Sequence, residues 1–178
     1  MGDVELRPPL PQDAEVLFPL VDGTSVCDTL AWDGPESAEE YSQGLALRSL
    51  QVLAGDKHFF TIVLRQSGQP IGSCDVRLEH DDAAQANVGL WIGEPFQGLG
   101  YGTQVVGSLT AYGFEKLGLE KIVADIFIGN WASRRAFEKN GFRLEEIQPA
   151  ALVKRGLPID EWLVGLTREA YLRGKAEC

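Results

Sequence analysis

Three glycines alternate through Gln97-Gly98-Leu99-Gly100-Tyr101-Gly102, where an apolar strand-like segment gives way to helical spacing. The first turn of a helix carries backbone N–H groups without intrahelical partners, and the aligned peptide dipoles add partial positive charge there. Glycine removes the Cβ atoms that would hold a ligand away, so main-chain donors can close on a diphosphate. A Walker loop needs Gly-Lys followed by Ser or Thr, and this segment lacks it. A dinucleotide fingerprint needs a third glycine where Thr103 stands, and it follows a first parallel strand rather than an antiparallel meander. The hexapeptide alone leaves two readings open: a phosphate cradle, or a tight strand-to-helix turn with no ligand.

A second polar segment lies downstream. Asn130 precedes Trp131-Ala132-Ser133 and a short helical run that stops at Gly141. Asn at this place caps a helix, yet a capping amide can leave one of its groups for a ligand. The carboxylates near the loop are Asp75, Glu79 and Asp125. Asp125 lies between Ala124 and Ile126 on a strongly apolar strand, where burial would raise a carboxyl pKa toward that of a general base. The pattern favours an exposed or ion-paired Asp125 over a buried base. His58 on a strand and His80 in a turn have no metal-ligand spacing, and no Ser/His/Asp nucleophile set is present.

These residues need a scaffold. Val4 to Arg7 reads as a strand stopped by Pro8-Pro9. Gln12 to Val21 has weak helical spacing, with Pro19 near its end. Ser37-Ala38-Glu39-Glu40 is a capping box that opens a helix ended by Gly55. His58 to Arg65 and Ile71 to Glu79 form a hairpin, His80-Asp81-Asp82 turns, and Asn87 to Gly93 completes the meander. Tyr101 to Leu117 is a helix closed by Gly118. Lys121 to Ile128 is apolar almost throughout, the pattern of a strand covered on both faces. Strands over Phe142 to Val153 and Trp162 to Leu166 end the series. Strands and helices in this order predict an α/β domain with a mixed sheet, and a chain of 178 residues predicts one domain, 1–178.

Composition narrows the partners. The formal net charge is −10 and no Lys/Arg-rich run offers the basic face that nucleic acid requires. The acidic balance serves solubility, or steers cationic acceptors toward the surface. Cys27, Cys74 and Cys178 form no C-x-x-C pair, and an odd count points to a reducing, cytoplasmic setting. The start is acidic without an apolar core, so no signal peptide is expected, and no run reaches membrane-spanning length.

The glycine turn together with Asn130-Trp131-Ala132-Ser133 … Asn140-Gly141-Phe142, one helix and one strand apart, resembles the paired signatures of the GNAT N-acetyltransferase superfamily. Trp32-Asp33-Gly34-Pro35, Val88-Gly89-Leu90-Trp91-Ile92-Gly93 and Asp160-Glu161-Trp162-Leu163-Val164-Gly165-Leu166 are similar to segments of its ribosomal-protein N-terminal (Rim-like) group. The resemblance implies an acyl-CoA N-acyltransferase fold with splayed central strands and helices on both faces. It implies acetyl-CoA as cosubstrate and no metal. The pantetheine arm would take main-chain donors of Trp91, Ile92 and Gly93. Gln97, Gly98, Leu99, Gly100, Tyr101, Gly102 and Thr103 would hold the diphosphate, while Asn130, Ser133 and Phe137 would lie toward the acyl end. Leu99 replaces a basic residue common in relatives. Asn87 stands where many have Glu, and Phe137 where many have a Tyr that protonates the leaving thiolate. Ser133 is therefore the expected donor and Asp125 a candidate base.

The expected reaction is attack of a neutral amine on the acetyl thioester. Near pH 7 about one α-amine in ten is neutral, against about one lysine in two thousand. A protein N-terminal α-amine thus asks least of a modest base. A small cationic amine (an aminoglycoside or polyamine) and a non-catalytic acyl-CoA sensor are the competing expectations, and members of the family often form homodimers.

Overall fold

The computed structural model describes residues 2–55, 57–79 and 84–176. Seven strands make one sheet in the order β1-β2-β3-β4-β5-β7-β6. They are β1 (Val4–Arg7), β2 (His58–Leu64), β3 (Pro70–Leu78), β4 (Gln85–Ile92), β5 (Lys121–Phe127), β6 (Arg143–Lys154) and β7 (Leu157–Thr167). The α-helices are α1 (Ala14–Leu17), α2 (Ala38–Leu53), α3 (Tyr101–Ala111), α4 (Trp131–Glu138) and α5 (Arg168–Ala176). The expected mixed α/β class and the meander are present. The turn expected at His80-Asp81-Asp82 lies outside the described residues.

The chain divides into two compact units, Met1–Val76 with Leu90–Val105, and Arg77–Gly89 with Val106–Cys178. In the first, β1 and β3 flank β2 in antiparallel pairing, with Arg7 opposite Thr61. The expected helix over Gln12 to Val21 is broken into a 3-10 turn at Pro11–Asp13, the four-residue α1, and a second 3-10 turn at Phe18–Leu20. Prolines 11 and 19 each remove an N–H donor and fix φ, which favours short turns over one continuous helix. The start of α2 follows the capping rule: the Ser37 hydroxyl accepts from Glu40 N at 3.1 Å. The Glu40 carboxylate reaches back one residue further than the rule states, accepting from Glu36 N at 2.6 Å. Leu17, Ala14, Tyr41 and Leu45 form a core cluster against which Trp32 and Trp91 pack.

A buried ion pair ties this unit together. Asp13 is only 3% exposed. Its carboxylate accepts from Arg7 Nη2 at 2.6 Å and Arg7 Nη1 at 2.8 Å, from Leu10 N at 3.0 Å and from Thr61 Oγ1 at 2.8 Å.

In the second unit, α3 passes into a π-helical turn at Tyr112–Lys116. Arg168 ties its end from a distance: Nη2 donates to Phe114 O in the π-helical turn at 2.6 Å, and Nε to Leu119 O just past it at 2.8 Å. β7 pairs antiparallel with β5 on one side and β6 on the other. The β6–β7 register slips near Ala150, whose φ is 48° and whose N–H donates to the Asp160 carboxylate at 2.8 Å. α5 is an addition to the expected elements. Its sequence has no apolar stripe, and Tyr171 anchors it through Phe114, ring to ring at 4.9 Å, and through Glu115 at 2.6 Å.

Candidate functional site

In the first unit, β4 ends at Ile92, a 3-10 turn follows over Glu94–Phe96, and α3 begins at Tyr101. Gly98 and Gly100 have φ of 75° and 83°, conformations that residues with a Cβ rarely adopt. A Cβ added at either would stand in open space, so backbone conformation rather than crowding asks for glycine here. The N–H groups of Gly98, Leu99, Gly100, Tyr101 and Gly102 have no intramolecular acceptor among the described residues. The first bond of the helix runs from Gln104 N to Gly100 O at 3.3 Å. Five successive donors at the head of an eleven-residue helix, on an open surface without Lys or Arg, fit the oxygens of a pyrophosphate.

The residues around the loop position it. Gln97 Nε2 donates to Ile92 O at 2.8 Å and straps the turn to the strand end. Leu99 is 59% exposed. Thr103 is half-buried on the first turn of α3. The Trp91 indole packs in the core, 6.4 Å from the ring of Trp32, and its backbone faces Gly72 of β3, so neither is offered to a pantetheine arm, against expectation. Gly93 corrects an expectation. Its N–H donates to Ile71 O at 2.9 Å, so it is not a donor for a pantetheine arm. Alternation along the strand directs the N–H of Ile92 to the opposite edge. Gly93 is small for another reason, since a Cβ there would lie 2.9 Å from Leu20.

The second unit carries the other residues. The parallel ladder between β4 and β5 comprises Gln85 with Lys121, Ala86 with Ile122 and Asn87 with Val123, and ends there although both strands continue. At that divergence a polar chain crosses the strands. Arg77 Nη2 donates to Asn87 Oδ1 at 2.8 Å, and Asn87 Nδ2 donates to Asp125 Oδ2 at 2.6 Å. Asp125 is exposed, so the burial that made it attractive as a base is absent. Its chain neighbours Ala124 and Ile126 face the other way, while Val123 and Phe127, which share its face, are buried.

Asn130 caps α4, its Oδ1 accepting from Ser133 N at 3.1 Å. Its Nδ2 and the half-buried Ser133 hydroxyl make no hydrogen bond among the described residues. Phe137 is buried edge-on to Phe142 at 5.0 Å, which makes it a core ring. Trp131 and Arg134 of α4 lie over Trp162 at 4.7 and 4.5 Å, so α4 covers the Trp162 face of β7. The opposite face holds a carboxylate that sequence reasoning passed over. Glu161 is 7% exposed and pairs across the strands with Phe127 and Gln148. Burial first, and the charge of Asp125 second, push its carboxyl pKa up. Among the described residues no group of three or more His, Cys, Asp or Glu could hold a metal ion, and no helix is long and apolar enough to cross a membrane.

Residues 3–143 match the family model described as the acetyltransferase (GNAT) domain. The chain is 27% identical over 158 residues to the uncharacterized N-acetyltransferase YoaA of Bacillus subtilis, covering 87% of this chain and 88% of that one. Its fold is similar to an acetyltransferase of the GNAT family from Bacillus anthracis, with a TM-score of 0.83 and 18% identity over 94% of this chain and 96% of that one. It is also similar to the spermidine N-acetyltransferase of Vibrio cholerae, solved with CoA and spermine, with a TM-score of 0.81 and 19% identity over 96% and 98% of the two chains.

Proposed function

This chain belongs to the GNAT acetyltransferase family and is an acetyl-CoA-dependent N-acetyltransferase, and from that premise we propose that its acceptor is the α-amine of a protein N-terminus. The observation that carries the coenzyme half of this reading is the row of unbonded N–H groups from Gly98 to Gly102. They hold the pyrophosphate, with Gln97 fixing the loop and Thr103 on the first turn of the helix. The N–H of Ile92 extends toward the pantetheine arm, which adds to a strand edge as a peptide does. Bound acetyl-CoA supplies an acetyl group activated as a thioester.

Asn130 and Ser133 serve the acyl end. The Asn130 Nδ2 donates to the arm while its Oδ1 keeps the helix capped. The Ser133 hydroxyl gives a proton to the departing sulfur, in place of the Tyr that Phe137 cannot replace. Asp125 holds the Asn87 amide and keeps negative charge on the face where an ammonium group arrives. Ser133→Ala should lower kcat roughly 100-fold, the low end of general-acid contributions. The affinity for acetyl-CoA should stay within a factor of two, read by calorimetry beside the rate. Leu99→Arg should tighten acetyl-CoA binding about fivefold, since a guanidinium adds a charge-assisted contact worth about 1 kcal/mol. Titration of both proteins at two salt concentrations checks it, because the gain must shrink with salt.

The acceptor is tested by thiol release from acetyl-CoA with peptides bearing free N-termini, with the same peptides N-terminally blocked but containing lysine, and with spermidine. Release confined to free N-termini is expected, because an α-amine is neutral about 200-fold more often than a lysine side chain near pH 7. The net charge of −10 supports a second reading, a small polycationic amine. Release with spermidine alone would favour it.

A further inference from the structure

We propose that Glu161, rather than Asp125, is the group that takes the proton from the acceptor amine; this rests on the acyl-transfer reading above. Glu161 as a residue is 93% removed from solvent, and a carboxylate on so buried a residue normally has a cation or several hydrogen-bond donors beside it. Glu161 has neither among the described residues. It stands on the face of β7 that also presents Ile159 and Leu163, opposite Phe127 of β5 and Gln148 of β6. Asp125 is its diagonal neighbour on β5, and diagonal positions in an antiparallel pair lie about 7–8 Å apart. Asp125 in turn holds Asn87, next to the point where β4 and β5 part. The face therefore offers an unpartnered carboxylate on a buried residue and a second, exposed one on the neighbouring strand. An ammonium group supplies the charge this arrangement lacks.

The ammonium gives one proton to the Glu161 carboxylate. The freed nitrogen lone pair bonds the acetyl carbon, the C–S bond breaks with its electron pair on sulfur, and the second nitrogen proton ends on sulfur as thiol. Glu161 returns its proton to solvent. The charged groups on this face are Asp125 and Lys121 on β5, Glu145 (paired with Lys121), Glu146 and Lys154 on β6, and Arg77 reaching Asn87. Of these, Asp125 is the one whose charge raises the Glu161 carboxyl, so the base works closer to the pKa of an α-amine.

The test is the pH profile of thiol release from saturating acetyl-CoA with a free-N-terminal hexapeptide and with spermidine. For the wild type, kcat/KM should fall on the acid side as Glu161 protonates. Glu161→Gln should lose that limb and about 10²–10³-fold in rate at neutral pH, with acetyl-CoA affinity unchanged. Glu161→Asp should recover part of both. Asp125→Asn should keep the limb and move it to lower pH, because a like charge has been removed. A limb retained in Glu161→Gln, or abolished in Asp125→Asn, overturns the assignment while leaving acyl transfer intact. Should Glu161→Gln fail to fold, Asp125→Asn decides alone: an unmoved limb overturns it. A wild type that releases thiol with neither acceptor defeats the acyl-transfer reading, and this inference with it.

Discussion

Gly100→Trp should leave the protein folded and weaken acetyl-CoA binding by at least about 100-fold. The loop holds five N–H groups without internal acceptors, and the position at Gly100 opens onto free space. An indole there meets no protein atom near its Cβ and lies over the donors. Losing two hydrogen bonds to a charged oxygen, each about 1.5–3 kcal/mol, removes roughly 3–6 kcal/mol of binding. Each 1.4 kcal/mol is about tenfold. The substitution also forces a side chain into φ of 83°, which costs about 1–3 kcal/mol of folding stability. Circular dichroism at the working temperature separates that cost from the binding loss. Calorimetry giving wild-type affinity would remove the phosphate site.

Asp13→Ala should cost about 3–5 kcal/mol, the usual penalty for leaving a desolvated charge without its partner. It removes four hydrogen-bond acceptances at once, two of them from Arg7, and strands the Thr61 hydroxyl in the core. In a domain of this size the melting temperature should fall by roughly 6–20 °C. The pH dependence has a definite sign. Burial alone would raise the Asp13 carboxyl, but the bonds from Arg7, Leu10 N and Thr61 outweigh it and hold the pKa below the ordinary value. The contribution is thus complete above the unfolded pKa of about 3.9 and disappears as pH falls through the lower folded value. Acid unfolding of the wild type, set beside that of Asp13→Ala, should show the difference between them shrinking in that window. A constant difference across it would rule out the ion pair as the cause.

Elements whose local chemistry is self-sufficient were legible in the sequence. The Ser37 cap, the Asn130 cap and the glycines at 98 and 100 each state a backbone requirement that few other residues meet. The loop was readable for the same reason, since the role proposed for it rests on main-chain groups. Elements fixed by distant partners were not. α5 shows no stripe in Arg168–Ala176, because its hold comes from Glu115 and Phe114 more than fifty residues earlier. The N–H of Gly93 looked available until its acceptor on β3 was placed. Asp125 is exposed, as the favoured reading of its strand had it, whereas Glu161 was passed over. Both lie on strands, share one face of the sheet and have apolar residues two positions away on either side, Val123 and Phe127 for Asp125, Ile159 and Leu163 for Glu161, so alternation alone does not tell the exposed one from the buried one. The adjacency of Glu161 to Asp160 made its segment read as polar.

The tryptophans fall into two couples, Trp32 with Trp91 and Trp131 with Trp162, one couple inside each compact unit. Indoles this close couple excitonically, so each half of the chain carries its own near-ultraviolet circular-dichroism signature. Replacing Trp32 with Phe silences one signature and replacing Trp131 with Phe silences the other. Melting the two variants side by side asks whether the halves lose their order together, as one cooperative domain must, or at separate temperatures.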